Sequence, residues 1–102
     1  NMQGINVIDY ATLSATSAAA VSLTVDGDPT LPAAAKRAYI TCEDAAARWR
    51  SDGTDPEGNE GHILAASDSI SFTGSNYRSL LENIKFIADT ATTAKLKITY
   101  FD

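Results

Sequence analysis

Apolar and polar residues alternate with a period of two along several short segments of the chain. The segment VSLTV places Val21, Leu23 and Val25 on one face, and KLKITY repeats the pattern near the end of the sequence. Successive side chains leave opposite faces of a β-strand, so this pattern is typical of strands with one buried face. We predict seven strands, at residues 21–26, 37–43, 46–50, 62–65, 68–73, 83–88 and 94–101.

Turn-forming residues separate these segments at short intervals. They occur at Asp26-Gly27-Asp28-Pro29, at Asp52-Gly53 and at Thr73-Gly74-Ser75-Asn76. Short strands separated by turns predict an all-β fold, an antiparallel β-sandwich or jelly-roll-like barrel of about seven short strands. The segment YRSLLENI is compatible with one helical turn that closes an end of the core. The predicted core comprises Val21, Leu23, Ile40, Trp49, Leu64, Ile70, Phe72, Ile84, Phe86, Leu96 and Ile98.

The first twenty residues differ in character from the rest. Residues 11–20, ATLSATSAAA, are small and polar, with too few large apolar groups to anchor the segment. The preceding INVIDY contains Ile5, Val7, Ile8 and Tyr10, more apolar surface than a free tail needs. We therefore divide the chain into an N-terminal arm, residues 1–20, and a β-sandwich domain, residues 21–102. The arm either docks on a neighbouring subunit or packs against its own chain, and both alternatives remain open.

Composition and charge narrow the class of protein. The chain has 102 residues, of which 44% are hydrophobic and 21% charged, values typical of a single folded domain. Its net charge of −5 argues against binding to nucleic acid, which requires a basic face, and against docking on an anionic membrane. No apolar segment approaches the roughly 20 residues that span a bilayer. The single cysteine, Cys42, excludes an internal disulfide and lies in phase with Ile40, so we expect it to fill the core.

The segment RWRSDGTDPEGNEGHIL, residues 48–64, has the most distinctive chemistry. Its stretch from Asp52 to Glu60 holds four acids and no base, but their spacing does not match a calcium loop, so we predict a solvated hairpin tip and no metal or cofactor. Trp49 continues the alternation of its strand and is predicted to lie in the core; a stacking platform for a sugar or a base is the other interpretation. Arg48 and Arg50 then face water, available to an acidic partner.

No motif indicates catalysis. His62 is the only histidine and Cys42 the only cysteine, so the chain has no pattern typical of a Cys/His zinc site or of a histidine-activated nucleophile. Nothing selects a catalytic pair from the thirteen acids. We therefore expect a protein that is not an enzyme.

Three segments, RAYITCEDAAARWRSDGTDP, GHILAASDSISFTG and LENIKFIADTATTAKLKITYFD, occur in an order that resembles small structural proteins of tailed bacteriophages and prophages. The resemblance covers about residues 36–102 and rests on the RWR strand with its D-G-x-x-P turn, the G-x-x-L-x-A segment and the I-K-F-I strand. It implies a virion component, and a small acidic β-sandwich of this kind is similar to capsid decoration (cement) proteins. The residues to which the resemblance assigns a structural role are Trp49, Gly53, Pro56, Gly61, Ile84, Phe86 and Ile87.

The resemblance implies a decoration protein that stabilises the phage head by contacts with the capsid or another virion protein, in a virion whose proteins are made in the bacterial host cytoplasm. A homo-oligomer, a trimer on a threefold lattice axis, is expected because so short a chain without a disulfide has little core of its own. The candidate contact residues are Ile5, Val7, Ile8, Tyr10, Arg48, Arg50, Ile87 and Phe101. The alternative is a carbohydrate-binding or tail- or fibre-associated adhesion module, whose candidate aromatics are Tyr10, Tyr39, Tyr77 and Tyr100.

Overall fold

The structure, a computed structural model that describes residues 5–102, contains two antiparallel sheets of four strands each. Its elements are β1 (Val7–Ala15), β2 (Val21–Ser22), β3 (Arg37–Glu43), β4 (Ala47–Arg50), β5 (His62–Leu64), β6 (Ser69–Phe72), α1 (Arg78–Asn83), β7 (Lys85–Ala88) and β8 (Ala94–Phe101). Sheet A has the strand order β1-β8-β3-β6, and sheet B has the order β2-β7-β4-β5. The predicted all-β sandwich is therefore confirmed.

Strands with strong alternation have the predicted bounds. β3 and β8 begin and end where the pattern placed them, and β4 to β7 agree within two residues. Residues 5–102 contain one helix, α1, which occupies the predicted helical turn. Leu81 of this helix and Ile84 just after it close an end of the core. No helix in this part of the chain has the length and apolar character needed to cross a bilayer.

The inner faces of the two sheets share one apolar core. Most of the predicted core residues are buried there, and Val21, Trp49 and Ile70 are partly buried and pack against it. Cys42 is buried as predicted. The alternation also turned Ala38 and Ala47 inward, and both are buried. The core contains further small side chains whose burial the sequence did not predict: Ala11, Ala15, Ala35, Ala88 and Ala94.

The predicted strand at residues 21–26 is wrong beyond Ser22. The backbone N–H of Asp26 donates to the carbonyl oxygen of Ser22 at 2.9 Å, and the Asp26 carboxylate accepts the N–H of Ser22 at 2.9 Å. These reciprocal bonds close a turn, so the alternation stops after β2. Leu23 stays fully buried, whereas Val25, two residues later, is 75% exposed.

Residues 7–15 correct the expectation of a separate N-terminal arm. They form β1, which pairs with β8 from Val7 opposite Phe101 to Ala15 opposite Ala94. Leu13 of β1 is buried in the core. For this segment the second alternative, packing against its own chain, describes the structure, because β8 satisfies the backbone hydrogen bonds along one edge of β1 and the core covers its small apolar face.

Candidate docking surface on the outer face of sheet A

The outward-facing side chains of sheet A form an open surface that we call face A. Leu96 and Ile98 of β8 point into the core, so the intervening residues of this strand point outward. The antiparallel register aligns the outward residues of β1, β8 and β3 in cross-strand rows. From one end these rows are Val7, Phe101 and Arg37; Tyr10, Thr99 and Tyr39; Thr12, Lys97 and Thr41; and Ser14, Lys95 and Glu43.

A β-bulge in β1 brings two apolar side chains to face A. Val7 and Tyr10 are three residues apart, an odd spacing that would put them on opposite faces of a regular strand. The register shifts between Val7 and Asp9. The extra residue lets both side chains point outward, while Ile8 packs against the core.

The first two rows of face A expose a cluster of apolar and aromatic groups. Val7 is 64% exposed, Tyr10 54% and Tyr39 40%, and Phe101 is half-buried beside Val7. Ile5, which precedes β1 at the same end, is 43% exposed. Six large hydrophobic residues are exposed among residues 5–102; three of them, Val7, Tyr10 and Tyr39, lie in these two rows, and Ile5 precedes the first row. Exposed apolar groups that cluster in this way mark interaction surfaces.

Face A carries basic side chains, most of which have acidic neighbours. It carries three of the eight basic residues, Arg37, Lys95 and Lys97, and one of the thirteen acidic residues, Glu43. Two further acids lie beside the face, and Arg37 contacts one of them, Asp102. Lys95 forms an ion pair with Asp44 at 3.4 Å. Lys97 has no such pair with any residue from 5 to 102.

Hydrogen bonds tie the ends of β1 and β8 together beside the apolar cluster. Asn6 donates its backbone N–H and its side-chain amide to the Asp102 carboxylate at 3.1 and 3.2 Å, and Arg37 donates to the Asp102 backbone oxygen. The two bonds from Asn6, followed by the charges of Arg37 and Lys36, lower the pKa of the Asp102 carboxyl. These bonds hold the start of β1 against the end of β8 at the first row of face A.

The free edge of β1 is closed along part of its length. Thr12 and Asp28 exchange two backbone hydrogen bonds at 3.0 and 2.9 Å, and the N–H of Tyr10 donates to the Asp9 carboxylate at 2.8 Å. An edge strand protected in this way is a poor template for a further strand. The accessible part of sheet A at this end is therefore its face.

The outer face of sheet B is covered at β7, although Ile63 of the edge strand β5, in register with Arg48, is 52% exposed. The acidic loop, residues 52–60, folds back over the sheet, with Pro56 fully buried and Asp55 paired to Lys85 of β7 at 3.0 Å. Ile87, 9% exposed, lies outside the core in a groove between this loop and residues 17–20. The chain returns close to β4 just after this loop, at Gly61. A glycine is required there because a Cβ atom would lie 3.0 Å from the Trp49 carbonyl oxygen.

The two arginines of β4 already have partners within the chain. Arg48 donates to Asp89 at 2.8 Å and to the Gly61 carbonyl oxygen at 3.1 Å. Arg50 donates to both carboxylate oxygens of Asp52, at 3.1 and 2.6 Å, and these bonds lower the pKa of Asp52 to about 2. Both arginines therefore hold the acidic loop and its flanks, instead of extending freely toward a partner.

The structure divides the predicted contact residues among three places. Val7, Tyr10 and Phe101 lie at the apolar end of face A, with Ile5 just before β1, and Ile8 packs against the core. The remaining three, Arg48, Arg50 and Ile87, lie on the outer side of sheet B. The prediction missed Tyr39 and Lys97 as neighbours of this cluster. Alternation within their strands placed both outward, but only the register of β1, β8 and β3 brings them beside Tyr10.

Two of the four tyrosines considered for glycan binding are poorly accessible. Tyr100 is fully buried, and desolvation raises the pKa of its hydroxyl. Tyr77 is partly buried against Phe72, with ring centres 5.5 Å apart. The exposed pair is Tyr10 and Tyr39.

Trp49 is partly buried and packs against the core. Its ring meets the edge of Phe72 at 5.8 Å between centroids and His62 at 4.6 Å. Across residues 5–102, no three His, Cys, Asp or Glu side chains are grouped so that they could hold a metal ion. Comparisons with protein-family models, curated proteins and solved structures found no match to this chain.

Proposed function

We propose that this protein is a non-enzymatic structural component of a bacteriophage virion, a capsid decoration protein that docks on the head through face A. The observation that carries the proposal is the grouping of Ile5, Val7, Tyr10 and Tyr39 at one end of an open sheet face. Burial of exposed apolar surface is favourable by about 25 cal/mol per Å². A protein bound across neighbouring capsid subunits stabilises the assembled state by mass action.

The choice of phage capsid as partner rests on the resemblance of residues 36–102 to small phage structural proteins. The choice of face A rests on the contrast between the two sheets. Face A presents its apolar end directly to solvent, whereas the loop of residues 52–60 lies over sheet B and its ion pairs engage Arg50 and Lys85. Docking through face A needs no rearrangement of these contacts.

Co-sedimentation with purified phage capsids tests this proposal. Val7→Ser removes an exposed apolar side chain from face A, and we expect it to weaken capsid binding. Val25→Ser is the matched control, since it makes the same substitution at an exposed valine in the turn after β2, away from face A. We expect Val25→Ser to bind like the unmodified chain. No binding of the unmodified chain, or equal losses in both variants, would contradict the proposal.

The proposal includes a homo-oligomer, a trimer at a threefold axis. The outer faces of the two sheets point in opposite directions, so a contact between them would build an open stack instead of a closed ring. If face A meets the capsid, the subunit contacts of a trimer lie along the sandwich edges, and the edge strand β5 exposes Ile63 on its outer side beside Arg48. Light scattering tests this directly. We expect a trimer for the unmodified chain and dissociation of the trimer by Ile63→Ser. A monomer at high concentration would contradict the proposed oligomer.

A second function, glycan binding, is favoured by one observation. Tyr10 and Tyr39 lie in the same cross-strand row with Thr99 between them, which separates them by two strand spacings, about 10 Å. Two aromatic rings at this separation, with a hydroxyl between them, suit an extended glycan. Saturable binding on a glycan array that Tyr39→Ser abolishes, together with no capsid binding, would favour this function over the first.

A further inference from the structure

The two sides of the sandwich differ in how their edge strands are closed. β1 and β2 border one side, and β6 and β5 are the end strands of the two sheets on the other side. Alternate residues of an edge strand point their backbone N–H and C=O groups away from the sheet, where a further strand can pair with them. On the first side these groups have partners within the chain. Thr12 of β1 exchanges two hydrogen bonds with Asp28, and Ser22 of β2 exchanges two with Asp26.

The edge of β6 is open by comparison. The N–H of Cys42 donates to the Asp68 carbonyl oxygen at 3.0 Å, and the register of β3 and β6 then directs the N–H and C=O groups of Ile70 toward β3. Those of Ser69 and Ser71 therefore point away from the sheet. No other backbone group among residues 5–102 pairs with them. The strand also lacks the charged residues and proline that commonly protect an edge.

We infer that β6 pairs with β6 of a second copy of this chain, in antiparallel register about a twofold axis. The strand is complementary to itself. With Ile70 opposite Ile70 of the second copy, Ser69 of each copy lies opposite Ser71 of the other. In this register the outward N–H and C=O groups of both serines form hydrogen bonds between the copies. A shift of the register in either direction leaves some of these groups without a partner.

The side chains of β6 fit the same arrangement. Opposite residues that exchange no hydrogen bonds approach most closely, with Cα atoms about 4.5 Å apart, and Ile70 occupies this position. Its side chain is partly buried and packs against the core, so contact with its copy covers apolar surface that the edge leaves open. Ser69 and Ser71 bring only small side chains together on face A. Asp68 lies opposite Phe72 of the second copy, so the two Asp68 carboxylates do not meet.

This pairing leaves face A of both copies on the same side. A twofold axis that relates two antiparallel strands within one sheet is perpendicular to that sheet, so sheet A continues from one copy into the other. Tyr39 is the register partner of Ser71, and the row of face A that contains Tyr10 and Tyr39 therefore runs into the second copy. Two paired copies can meet one surface through face A at the same time.

The contact is small and is separate from the proposed trimer contact. Pairing of two short strands buries little surface against the entropy lost on association, so it is weak in dilute solution and is favoured where copies are held close together. Ile63 lies on the outer side of sheet B, whereas β6 belongs to sheet A. The inference does not require a phage capsid as the partner of face A.

Cysteine cross-linking at high protein concentration tests the register. Ile70→Cys places two thiols opposite each other with Cα atoms about 4.5 Å apart, within the range of about 4.4–6.8 Å that a disulfide spans. Ser71→Cys is the matched control, because its two copies lie about 7 Å apart along the strands in addition to the distance between the strands. We expect oxidation to link Ile70→Cys several-fold faster than Ser71→Cys, although Ser71 is the more exposed residue. Both variants retain the buried Cys42.

A second pair of variants tests the backbone hydrogen bonds. Ser71→Pro removes the outward N–H and no hydrogen bond to β3, a change that an edge strand tolerates, whereas Ser71→Ala keeps this N–H. The amide signals of Ser69 and Ile70 are followed by NMR over a dilution series, and the signals outside β6 show that each variant is folded. We expect concentration-dependent shifts in the unmodified chain, their retention in Ser71→Ala and their loss in Ser71→Pro.

The outcomes separate this inference from the proposed function. Equal cross-linking rates for Ile70→Cys and Ser71→Cys, or β6 signals that do not change with concentration, would overturn the inference. Ile63→Ser should leave the preference for Ile70→Cys unchanged, and loss of this preference would assign the contact to β5 instead. A chain that cross-links as expected but does not bind capsids would support the pairing of β6 and refute the docking proposal.

Discussion

Leu13→Ala removes a large side chain from β1, the strand that we did not predict. Leu13 is 2% exposed, and its register partner on β8 is the fully buried Leu96. The substitution deletes three carbon atoms, which corresponds to about 2.4 kcal/mol of lost transfer free energy at about 0.8 kcal/mol for each group. Because β8 and the facing sheet limit collapse of the resulting cavity, we expect a total loss of about 3–4 kcal/mol in the free energy of unfolding.

A loss of this size is a large part of the stability of a domain this short, for which about 5–15 kcal/mol is typical. Urea unfolding followed by the fluorescence of Trp49, which packs between His62 and Phe72, measures it. The urea concentration at the transition midpoint should fall, while the m value, the slope of unfolding free energy against urea concentration, stays unchanged, as expected when stability alone is altered. The melting temperature should fall by roughly 4–8 °C for each kcal/mol lost.

Ser14→Ala is the control for this experiment, because Ser14 is the next residue of β1 and its exposed side chain points outward on face A. We expect it to change the free energy of unfolding by less than about 0.5 kcal/mol. A loss below about 1 kcal/mol for Leu13→Ala, similar to the control, would refute the assignment of residues 7–15 to the sandwich core.

Three further predictions concern the acidic loop and the buried thiol. Gly61→Ala should destabilise the fold by more than about 2 kcal/mol, because its φ of +132° is unfavourable for other residues and a Cβ atom would crowd the Trp49 carbonyl oxygen. Gly74 lies in open space, so Gly74→Ala should cost less than about 0.5 kcal/mol. Equal losses of stability in urea unfolding would contradict this reasoning. An NMR titration should give Asp52 a pKa of about 2, lowered by the hydrogen bonds from Arg50, and Arg50→Gln should raise this pKa. Because the pKa of Asp52 is lower in the folded than in the unfolded chain, the ion pair stabilises the fold above the ordinary aspartate pKa. This stabilisation is lost as the pH falls toward 2. An ordinary pKa for Asp52 would show that the ion pair with Arg50 does not form in solution. Cys42 is buried, and desolvation raises the pKa of its thiol, so it should react with a thiol reagent no faster than the chain unfolds; rapid labelling in native buffer would refute this.

The best-predicted elements are those whose local pattern is strong. In β3 and β8 large apolar residues alternate with polar ones, so the local sequence is enough to identify the buried face of each strand. β1 carries the same alternation in Ala11, Leu13 and Ala15, but alanine contributes little apolar area and the segment resembles a linker. Its role as a strand depends on β8, which supplies both the hydrogen bonds and the core.

The candidate site was predicted only in part. The apolar character of residues 5–10 pointed to Val7 and Tyr10, and the second apolar side of β8 pointed to Phe101. Arg48 and Arg50 looked equally available, since alternation turned both toward solvent. Their engagement by Asp89 and Asp52 depends on where a loop and a strand end come to rest, which the pattern within β4 does not encode.

The sequence by itself determined which residues of most strands lie inward and that the chain folds as an all-β sandwich, because inward and outward positions follow from the two-residue period of a single strand. Tertiary structure alone decided which outward face stays open. Face A combines residues from β1, β3 and β8 through strand register, and the matching face of sheet B is covered at β7 by a loop whose path depends on distant contacts. Exposure of a face is a property of everything packed near it, so no local pattern could distinguish the two.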